Sequence, residues 1–258
     1  MTEAKSMRVP DLLAMKARGE KISMLTAYDA TMARLLDQAG IDVLLIGDSL
    51  GMVILGGDDT LEVTMDDMVR HTRAVRRGAK RALILADMPF MSYQASIADA
   101  VRNAGRLLQE GGAAAVKLEG GTPVLETVER LVSLGIPVVG HLGLMPQSVN
   151  QIGGFKRQAT AADAQQKLLQ EADALETAGA CALVLECIPD DLAREVTAQL
   201  RIPTIGIGSG PHCDGQVLVS YDLLGLTGKT PSFVRKYAQL DQVVVDAVGE
   251  FVKDLKRG

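Results

Sequence analysis

Eight short apolar runs, each followed by a longer segment with helical spacing, constrain the fold of this chain more than any other feature. The runs are too uniformly apolar for half-exposed antiparallel strands and are typical of parallel strands buried on both faces. They lie at 21–25, 42–47, 82–86, 113–118, 136–140, 181–185, 202–206 and 216–220. Eight such strands alternating with helices predict a closed (β/α)8 TIM barrel of the α/β class. A doubly wound open sheet is the alternative, but the short, even spacing favours closure.

Size and composition agree with one barrel. The chain has 258 residues, 47% of them hydrophobic but only 3% aromatic, so its core must be built from aliphatic side chains, as barrel interiors are. No linker-like stretch interrupts the alternation, and a single domain is predicted over residues 1–258, with an N-terminal helical extension. The segment 239–257 is predicted to be an amphipathic helix that either packs on the barrel or contacts another subunit. Its apolar side carries Leu240, Val244, Val248, Phe251 and Leu255.

Helix boundaries are marked by capping residues. Three Ser or Thr residues precede an Asp by three positions, which is the spacing of a capping box with Asp in place of the usual Glu. The pairs are Thr64 with Asp67, Ser96 with Asp99, and Thr160 with Asp163. Gly111 and Gly179 lie where helices are expected to end in a left-handed residue. Two apolar stripes predict buried helix faces. They are Ile97, Val101, Ala104 and Leu108 in one helix, and Leu168, Ala172 and Leu175 in another.

Charge and targeting signals exclude several classes of partner. The net charge of −5 argues against nucleic acid or an anionic membrane. The basic run at 70–77 ends a predicted helix that begins with Asp66 and Asp67, so the helix dipole explains it without nucleic acid. No apolar run approaches the roughly 20 residues of a membrane helix, and the N-terminus has no signal-peptide core. The three cysteines lack metal or redox spacing and are expected to be reduced thiols, so a cytoplasmic location is expected.

Ionisable residues follow or end five of the predicted strands. Acids and bases are out of place in an aliphatic core, and the carboxyl-terminal ends of barrel strands converge on one mouth, where such enzymes carry out their chemistry. The residues are Asp48, Asp87, Lys117, Glu119, His141 and Glu186. One acid at a strand end is often a cap, but several buried together are costly unless a cation or a proton neutralises them.

The acidic residues indicate which cation would fit. Asp48, Asp87 and Glu119 offer only oxygen ligands, which suit Mg²⁺ or Mn²⁺ better than Zn²⁺. Mg²⁺ usually keeps positions open to water or to a chelating substrate, and the longer Glu119 could act through a bridging water. The alternative is a structural network of the same residues without a metal.

The other strand-end residues have two interpretations each. Glu186 comes from the sixth strand, away from the acids of strands two to four, and could serve as a general base or as an acid at a helix N-terminus. Lys117 shares a strand face with Glu119 and could hold a substrate carboxylate or pair with a neighbouring acid. His141 could contact substrate or be a satisfied interior imidazole.

Longer motifs surround these residues. They are TAYDA (26–30), GDSLGM (47–52), ADMPFMSY (86–93), VKLEGG (116–121), GHLGLMPQSVN (140–150), LVLECIP (183–189) and the stretch from IGIGSG to DGQVLV (205–219). In this order, and nearly without gaps from about residue 20 to 235, the set resembles the ketopantoate hydroxymethyltransferase family. Long matching blocks of this kind are far more specific than a single short motif.

The resemblance implies a barrel of the phosphoenolpyruvate-binding superfamily type, assembled as a homo-oligomer, often a decamer. It implies a one-carbon transferase of pantothenate biosynthesis, which uses 5,10-methylenetetrahydrofolate and 3-methyl-2-oxobutanoate to make 2-dehydropantoate. One Mg²⁺ per subunit stabilises the enolate. It also implies a role for each matching residue. Asp48, Asp87 and Glu119 form the metal site, Asp48, Ser49, Asp87, Lys117 and His141 bind substrate, and Glu186 is the general base.

Two other functions remain open at this point. A carbon–carbon lyase or mutase of the same superfamily would hold a similar 2-oxo acid on a metal but would need no folate. A non-catalytic barrel could bind the metal–oxo-acid complex as a sensor, and such a protein should lack the base on strand six. The loop at 145–160 is the longest non-periodic segment, and the sequence assigns it no role.

Overall fold

The computed structural model describes residues 6–257 and confirms the closed barrel. Eight parallel strands pair in chain order from the first to the last, each within three residues of its predicted bounds. They are β1 (Ile22–Thr26), β2 (Val43–Ile46), β3 (Leu83–Asp87), β4 (Ala115–Glu119), β5 (Val138–Gly143), β6 (Ala182–Glu186), β7 (Thr204–Ile207) and β8 (Gly215–Leu218). The register is continuous across the site, with Asp87 opposite Lys117 and Glu119 opposite His141.

Helices connect the strands and precede the first one. They are α1 (Val9–Ala17), α2 (Ala30–Gln38), α3 (Leu50–Val53), α4 (Met65–Gly78), α5 (Ile97–Arg106), α6 (Leu125–Ser133), α7 (Val149–Ile152), α8 (Ala162–Thr177), α9 (Asp190–Gln199), α10 (Ser220–Leu223) and α11 (Leu240–Arg257). A π-helical turn spans Leu107–Gly111, and 3₁₀ turns span Thr122–Val124 and Pro146–Ser148. No helix among residues 6–257 is both long and apolar enough to cross a membrane.

Two of the three predicted caps are confirmed. Thr64 and Asp67 form a reciprocal capping box at α4, and Ser96 accepts from the Asp99 N–H at α5. The third prediction, for Thr160, is wrong because α8 begins only at Ala162. Its N-cap is therefore Ala161, whose methyl side chain accepts no hydrogen bond.

The end of α5 differs from the prediction because a π-helical turn extends it. The left-handed residue is Gly112, with φ +80°, and not Gly111. Gly111 instead packs so closely that a Cβ there would lie 2.9 Å from the Thr72 methyl carbon. The buried residues of α5 are Ala100 and Ala104, whereas Ile97 and Val101 of the predicted apolar stripe are only partly buried. The buried face of α5 therefore differs from the prediction. The left-handed Gly179 and the buried face of α8 are confirmed.

The core fills the barrel from the end opposite the predicted mouth. Aliphatic side chains from the strands pack together with Leu12 and Met15 of α1. Lys16 fixes this helix by donating to the Thr197 and Ile202 carbonyls and pairing with Asp214 at 2.8 Å. One end of the barrel is thus filled with apolar side chains, which leaves the other end for polar ones.

The chain divides into two compact units, one ending at Val217 and one beginning at Leu218. In the second, the Tyr237 and Leu240 N–H groups donate to the Leu223 and Leu224 carbonyls, which links α11 to α10. No described residue of α11 is buried. The single domain over 1–258 stays a prediction, and residues 1–5 of its N-terminal extension lie outside the described residues.

Candidate active site

The strand-end residues predicted from the sequence meet at the carboxyl-terminal end of the barrel, here called the mouth. Most of them are buried polar groups: Asp48, Asp87, Lys117, Glu119 and His141. Glu186 ends β6 with its side chain 16% exposed, so it is the member of the group that faces the opening. The barrel positions all six because parallel strands end at the same level.

Asp48, two residues after β2, lies next to Asp87, the last residue of β3. The Asp48 N–H donates to Asp87 Oδ2 at 3.1 Å, and Lys117 Nζ forms an ion pair with Asp87 Oδ1 at 3.2 Å. Burial, and then the neighbouring carboxylates Asp87 and Glu119, raise the pKa of Asp48 well above its ordinary value. Burial also raises the pKa of Asp87, although Lys117 opposes it. A cation bound beside this pair would therefore offset the cost of burying two carboxylates together.

Ser49 lies beside this pair at the beginning of α3. Its Oγ is 2.9 Å from the Tyr28 hydroxyl, which comes from the loop after β1. A Cβ at position 47 would lie 2.7 Å from Ser49 Oγ, so only glycine lets the chain turn this tightly after β2. Burial raises the pKa of Tyr28, which keeps its hydroxyl protonated. Sequence reasoning assigned no role to Tyr28, although it lies within the TAYDA motif.

His141 connects Lys117 and Glu119 of β4 with Glu186. Its Nδ1 is 3.2 Å from Lys117 Nζ and 3.6 Å from Glu119 Oε1, and its Nε2 is 3.2 Å from Glu186 Oε2. Burial lowers the pKa of His141, but the contacts with Glu119 and Glu186 outweigh burial and raise it to about 9. At neutral pH the ring is therefore a cation with a proton on both nitrogens, and its Nε2–H faces Glu186 Oε2.

The neighbouring chain holds Glu186 in a constrained turn. Cys187, the next residue, has φ +49°, a left-handed conformation that is rare for a residue with a side chain. Its N–H donates to the Ile207 carbonyl at 2.8 Å. Ser209 Oγ donates to the Leu185 carbonyl and accepts from the Ile188 N–H, so hydrogen bonds flank Glu186 on both sides. Backbone strain of this kind concentrates at functional sites.

Two further neutral residues of the site, besides Tyr28, were missed by sequence reasoning. Gln147 is buried in the loop after β5, and its Nε2 donates to Asp48 Oδ2 at 2.8 Å. Tyr93 is buried after β3, and its hydroxyl accepts from the Glu119 N–H at 3.0 Å. Both lie inside the quoted motifs, but neither carries a charge, and neither ends a strand. Only the folded chain shows that they contact the acids.

The donor set fits a hard divalent cation. Asp87 Oδ1 and Glu119 Oε1 are buried without a hydrogen-bond partner among the described residues, and both are carboxylate oxygens. Burial raises the pKa of Glu119, but His141 and Lys117 lower it further, so this carboxyl stays ionised. No group of three or more His, Cys, Asp or Glu within 6–257 is arranged to hold a metal by itself. The two carboxylate oxygens without a hydrogen bond suit Mg²⁺, which takes one or two protein carboxylates and fills its other positions with water and substrate.

A cavity of about 430 Å³ lies away from the mouth, between α4 and the end of α5. It is lined by Asp66, Val69, Arg70, Arg73, Ala74, Arg77, Arg106 and Glu110. Arg106 pairs with Asp66 at 2.6 Å and with Glu110 at 2.9 Å. None of the strand-end residues lines this cavity, so the polar mouth of the barrel is the candidate active site.

Known proteins resemble the chain over its whole length. The family model described as ketopantoate hydroxymethyltransferase matches residues 6–258. A 3-methyl-2-oxobutanoate hydroxymethyltransferase of Syntrophus aciditrophicus (strain SB) is 58% identical over 245 residues, which are 95% of this chain and 90% of the relative. One of Moorella thermoacetica (strain ATCC 39073 / JCM 9320) is 54% identical over 259 residues, 100% of this chain and 96% of the relative.

Solved structures share the fold at much lower identity. A 2,3-dimethylmalate lyase, described as a member of the PEP mutase/isocitrate lyase superfamily, has a TM-score of 0.62 and 16% identity. The alignment covers 96% of this chain and 87% of the lyase. A phosphonopyruvate hydrolase solved with oxalate and Mg²⁺ has a TM-score of 0.64 and 13% identity, covering 97% of this chain and 87% of the hydrolase. The chain therefore shares its barrel fold with these proteins.

Proposed function

Because the chain belongs to the ketopantoate hydroxymethyltransferase family, we propose that it catalyses the reaction implied by the sequence. It transfers a hydroxymethyl group from 5,10-methylenetetrahydrofolate to 3-methyl-2-oxobutanoate and gives 2-dehydropantoate, in pantothenate biosynthesis. The observation that carries the proposal is the contact between His141 and Glu186. Glu186 lies at the opening of the buried acidic site, and His141 Nε2 is 3.2 Å from its carboxylate.

The demanding step is removal of a proton from the tertiary carbon beside the ketone. We assign this step to Glu186, which is half-buried at the mouth and is not hydrogen-bonded to Asp48, Asp87 or Glu119. The proton moves from the substrate carbon to a Glu186 carboxylate oxygen. His141 Nε2–H, 3.2 Å from Oε2, stabilises the carboxylate before the transfer and holds its orientation. The resulting carbanion carbon then forms the new carbon–carbon bond with the methylene carbon of the folate, and both carbon–nitrogen bonds of that methylene group break. One water supplies the hydroxyl oxygen, and its remaining hydrogen together with the proton taken from the substrate protonates the two folate nitrogens.

Asp48 and Asp87 would hold Mg²⁺, and Glu119 would contact it through water. When bound there, a divalent cation would supply positive charge to offset the negative charge that develops on the 2-oxo oxygen. Ser49 Oγ would orient the substrate carboxylate, while its partner Tyr28 stays protonated and fixes the hydroxyl. Lys117 already compensates Asp87 and offers its remaining N–H groups to substrate oxygens.

The folate would approach from the rim of the mouth. Apolar side chains are exposed in the loops after β2, β3 and β5, where they offer surface to a flat ring system. They are Met52, Ile54, Leu55, Phe90, Met91 and Phe155. The family resemblance further supports a cytoplasmic homo-oligomer, often a decamer, that has small-molecule substrates and needs neither nucleic acid nor membrane.

Proton exchange at the substrate tests the base directly. We expect Glu186→Gln to bind substrate and metal almost normally but to exchange the C3 proton with solvent about 10²–10⁴-fold more slowly, since that is the usual contribution of a general base. Deuterium washout from labelled 3-methyl-2-oxobutanoate, followed by NMR, needs no folate. The matched control is Glu195→Gln, an exposed residue of α9. Near-normal exchange in Glu186→Gln would remove Glu186 as the base.

The one-carbon donor has its own test. Wild-type protein should release tetrahydrofolate when both substrates are present, and this release can be followed optically. A lyase or mutase of the same superfamily would consume the 2-oxo acid without it. A sensor would show neither reaction and no C3 exchange, so the three functions give different results in the same two assays.

A further inference from the structure

We propose that Gln147 is a positioning residue, which orients the Asp48 and Glu119 carboxylates towards a shared divalent cation. The inference rests on the proposed function, because it gives the predicted metal site a support that comes from the loop after β5. It also assigns a role to the beginning of the 145–160 loop, which the sequence left without one.

The Gln147 side chain uses its whole hydrogen-bonding capacity at the mouth. Its Nε2 donates to Asp48 Oδ2 at 2.8 Å and to the Met88 carbonyl at 2.9 Å. Its Oε1 lies 2.8 Å from the Tyr93 hydroxyl and accepts from Gln94 Nε2 at 3.1 Å. A primary amide offers two N–H groups and two lone pairs, and all four have partners here. The buried amide therefore has one favoured orientation.

The Gln147 backbone holds a second carboxylate. Its N–H donates to Glu119 Oε2 at 3.1 Å, whereas Glu119 Oε1 has no hydrogen-bond partner among the described residues. Asp87 shows the same division, since Oδ2 accepts from the Asp48 N–H, whereas Oδ1 has no hydrogen bond and only an ion pair with Lys117 at 3.2 Å. In both acids one oxygen accepts a backbone N–H, and the other contacts only a cationic side chain, Lys117 for Asp87 and His141 for Glu119. Partners that orient metal-binding carboxylates in this way tune metal affinity.

Charge explains why an amide suits this position. A lysine or arginine would compete with the cation for Asp48, and a glutamate would add another negative charge and lose both N–H donors. Tyr93 completes the support from the other side, because its hydroxyl contacts both Gln147 and Glu119. Burial raises the pKa of Tyr93, so the hydroxyl remains a donor.

The backbone conformation after β5 positions Gln147 at the mouth of the barrel. It lies in the 3₁₀ turn Pro146–Ser148, directly after β5, and Pro146 supplies the restricted φ that begins such a turn. The turn passes into α7, whose Gln151 is exposed. The segment lacks the periodicity of a core helix because its buried contacts are polar ones made by a single residue.

Binding of Mn²⁺ alone tests the proposal without turnover. Free Mn²⁺ is measured by electron paramagnetic resonance during titration of the full-length protein. We expect Gln147→Leu, which keeps the side-chain volume but removes the donors, to weaken Mn²⁺ binding about 10–100-fold. The matched control, Gln151→Leu, makes the same substitution four residues away on the surface and should bind Mn²⁺ like the wild type.

A kinetic readout separates positioning from general damage. Activity of Gln147→Leu should require a higher Mg²⁺ concentration for half-saturation, while kcat at saturating Mg²⁺ recovers to near the wild-type value. Damage to the fold would lower kcat at every Mg²⁺ concentration. If Gln147→Leu does not fold, Tyr93→Phe decides the question, because it removes one hydroxyl of the same support and should show a smaller loss of Mn²⁺ affinity.

Three outcomes are then distinguishable. Weaker Mn²⁺ binding in the folded variant, with the Gln151→Leu control unchanged, supports the positioning role. Unchanged affinity in a folded Gln147→Leu, or in Tyr93→Phe when it has to replace that variant, overturns the role and leaves the proposed function intact. No Mn²⁺ binding by the wild type overturns the metal of the proposed function and the positioning role with it.

Discussion

At the scale of single residues, the buried carboxylates at the mouth of the barrel lower the stability of the metal-free protein. Asp48, Asp87 and Glu119 are buried together, and the cations that compensate them are Lys117 and the protonated His141. Buried carboxylates that repel one another raise the free energy of the ionised state. Active sites often carry such destabilising groups because a ligand offsets their charge. The metal-free protein should therefore become more stable when one of these charges is removed.

Asp48→Asn tests this expectation, because it removes one negative charge and replaces a single oxygen with an amide nitrogen. We expect the metal-free variant to be more stable than the wild type by about 1 kcal/mol, which corresponds to a rise in Tm of roughly 2–4 °C at this size. The amide keeps an oxygen for the Gln147 Nε2–H. Calorimetry with a chelator measures the gain, and titration with substrate should show that Mg²⁺ no longer improves affinity. The exposed Asp58→Asn is the control and should change neither quantity.

The pH dependence of this effect has a defined sign. The folded-state pKa of Asp48 is raised, so the folded protein binds a proton more tightly there than the unfolded chain. The destabilisation is fully present above the folded-state pKa, declines as the pH falls below that value, and is gone below the unfolded-state pKa of about 4. The stability advantage of Asp48→Asn should accordingly shrink in acid. An advantage that grows on acidification would contradict this account.

The charged residues of the site could be predicted because each interrupts or follows an apolar strand. Asp48, Asp87 and Glu186 stand out for that reason, and the barrel rule brings them to one mouth. Gln147 and Tyr93 could not be predicted in this way. Tyr93 and Gln147 are 54 positions apart in the chain, and their hydrogen bond forms only in the folded protein. Neutral polar residues in loops are also too common for either residue to stand out in the sequence.

At the scale of elements, strand positions followed from apolar runs, whereas helix ends depended on packing. The buried face of α8 was predicted correctly because its stripe is long and regular. At the end of α5, close packing of Gly111 on Thr72 accompanies a π-helical turn, which moves the left-handed residue to Gly112. No local pattern in the sequence encodes that contact. The cap at Thr160 failed for a similar reason, since the loop before α8 extends one residue further, to Ala161.

Asp37 fixes the turn between α4 and β3 from the end of α2. Its carboxylate accepts from the Lys80, Arg81 and Ala82 N–H groups, the shortest at 2.7 Å. Asp37→Ala leaves these donors without their acceptor, so we expect a loss of about 1–3 kcal/mol in the free energy of unfolding. Urea titration at pH 7 measures it. Asp173→Ala, an exposed substitution on α8, should cost much less.

The pKa of Asp37 is shifted in the opposite direction to that of Asp48, so ionisation of Asp37 stabilises the folded protein, whereas ionisation of Asp48 destabilises it. Burial raises the pKa of Asp37, but the three backbone N–H groups and Arg81 lower it further, and the net shift is downward. Its stabilising contribution is present above the unfolded pKa of about 4 and is lost as the pH falls through the folded value. The difference between wild type and Asp37→Ala should therefore narrow in acid. A difference independent of pH would show that the carboxylate charge is unimportant.

At the scale of the whole molecule, the two ends of the barrel have different tasks. α1 and the apolar core close one end, where Lys16 ties the N-terminal helix to the carbonyls of Thr197 and Ile202. The mouth collects the polar residues at the other end. This division lets the site carry strained turns and buried charge, because the stabilising contacts are made elsewhere.

The apolar side of α11 is the feature that most clearly requires a partner. Val244, Val248, Phe251 and Leu255 are 53%, 56%, 65% and 70% exposed, and they follow one another at helical spacing. Exposed stripes of this kind are typical of protein–protein contacts. We propose that a second copy of the chain covers this side in the homo-oligomer that the family resemblance implies.

Charge placed on that side should dissociate the assembly. We expect Val248→Glu combined with Phe251→Glu to reduce the mass measured by light scattering on a gel-filtration column, because burying two carboxylates without partners is costly. Far-UV circular dichroism should stay unchanged, since glutamate is a good helix former. Gln242→Glu introduces the same residue on the opposite side of α11 and should leave the mass unaltered. If the double variant keeps the wild-type mass, subunit contacts lie elsewhere on the molecule, and the stripe on α11 has another occupant.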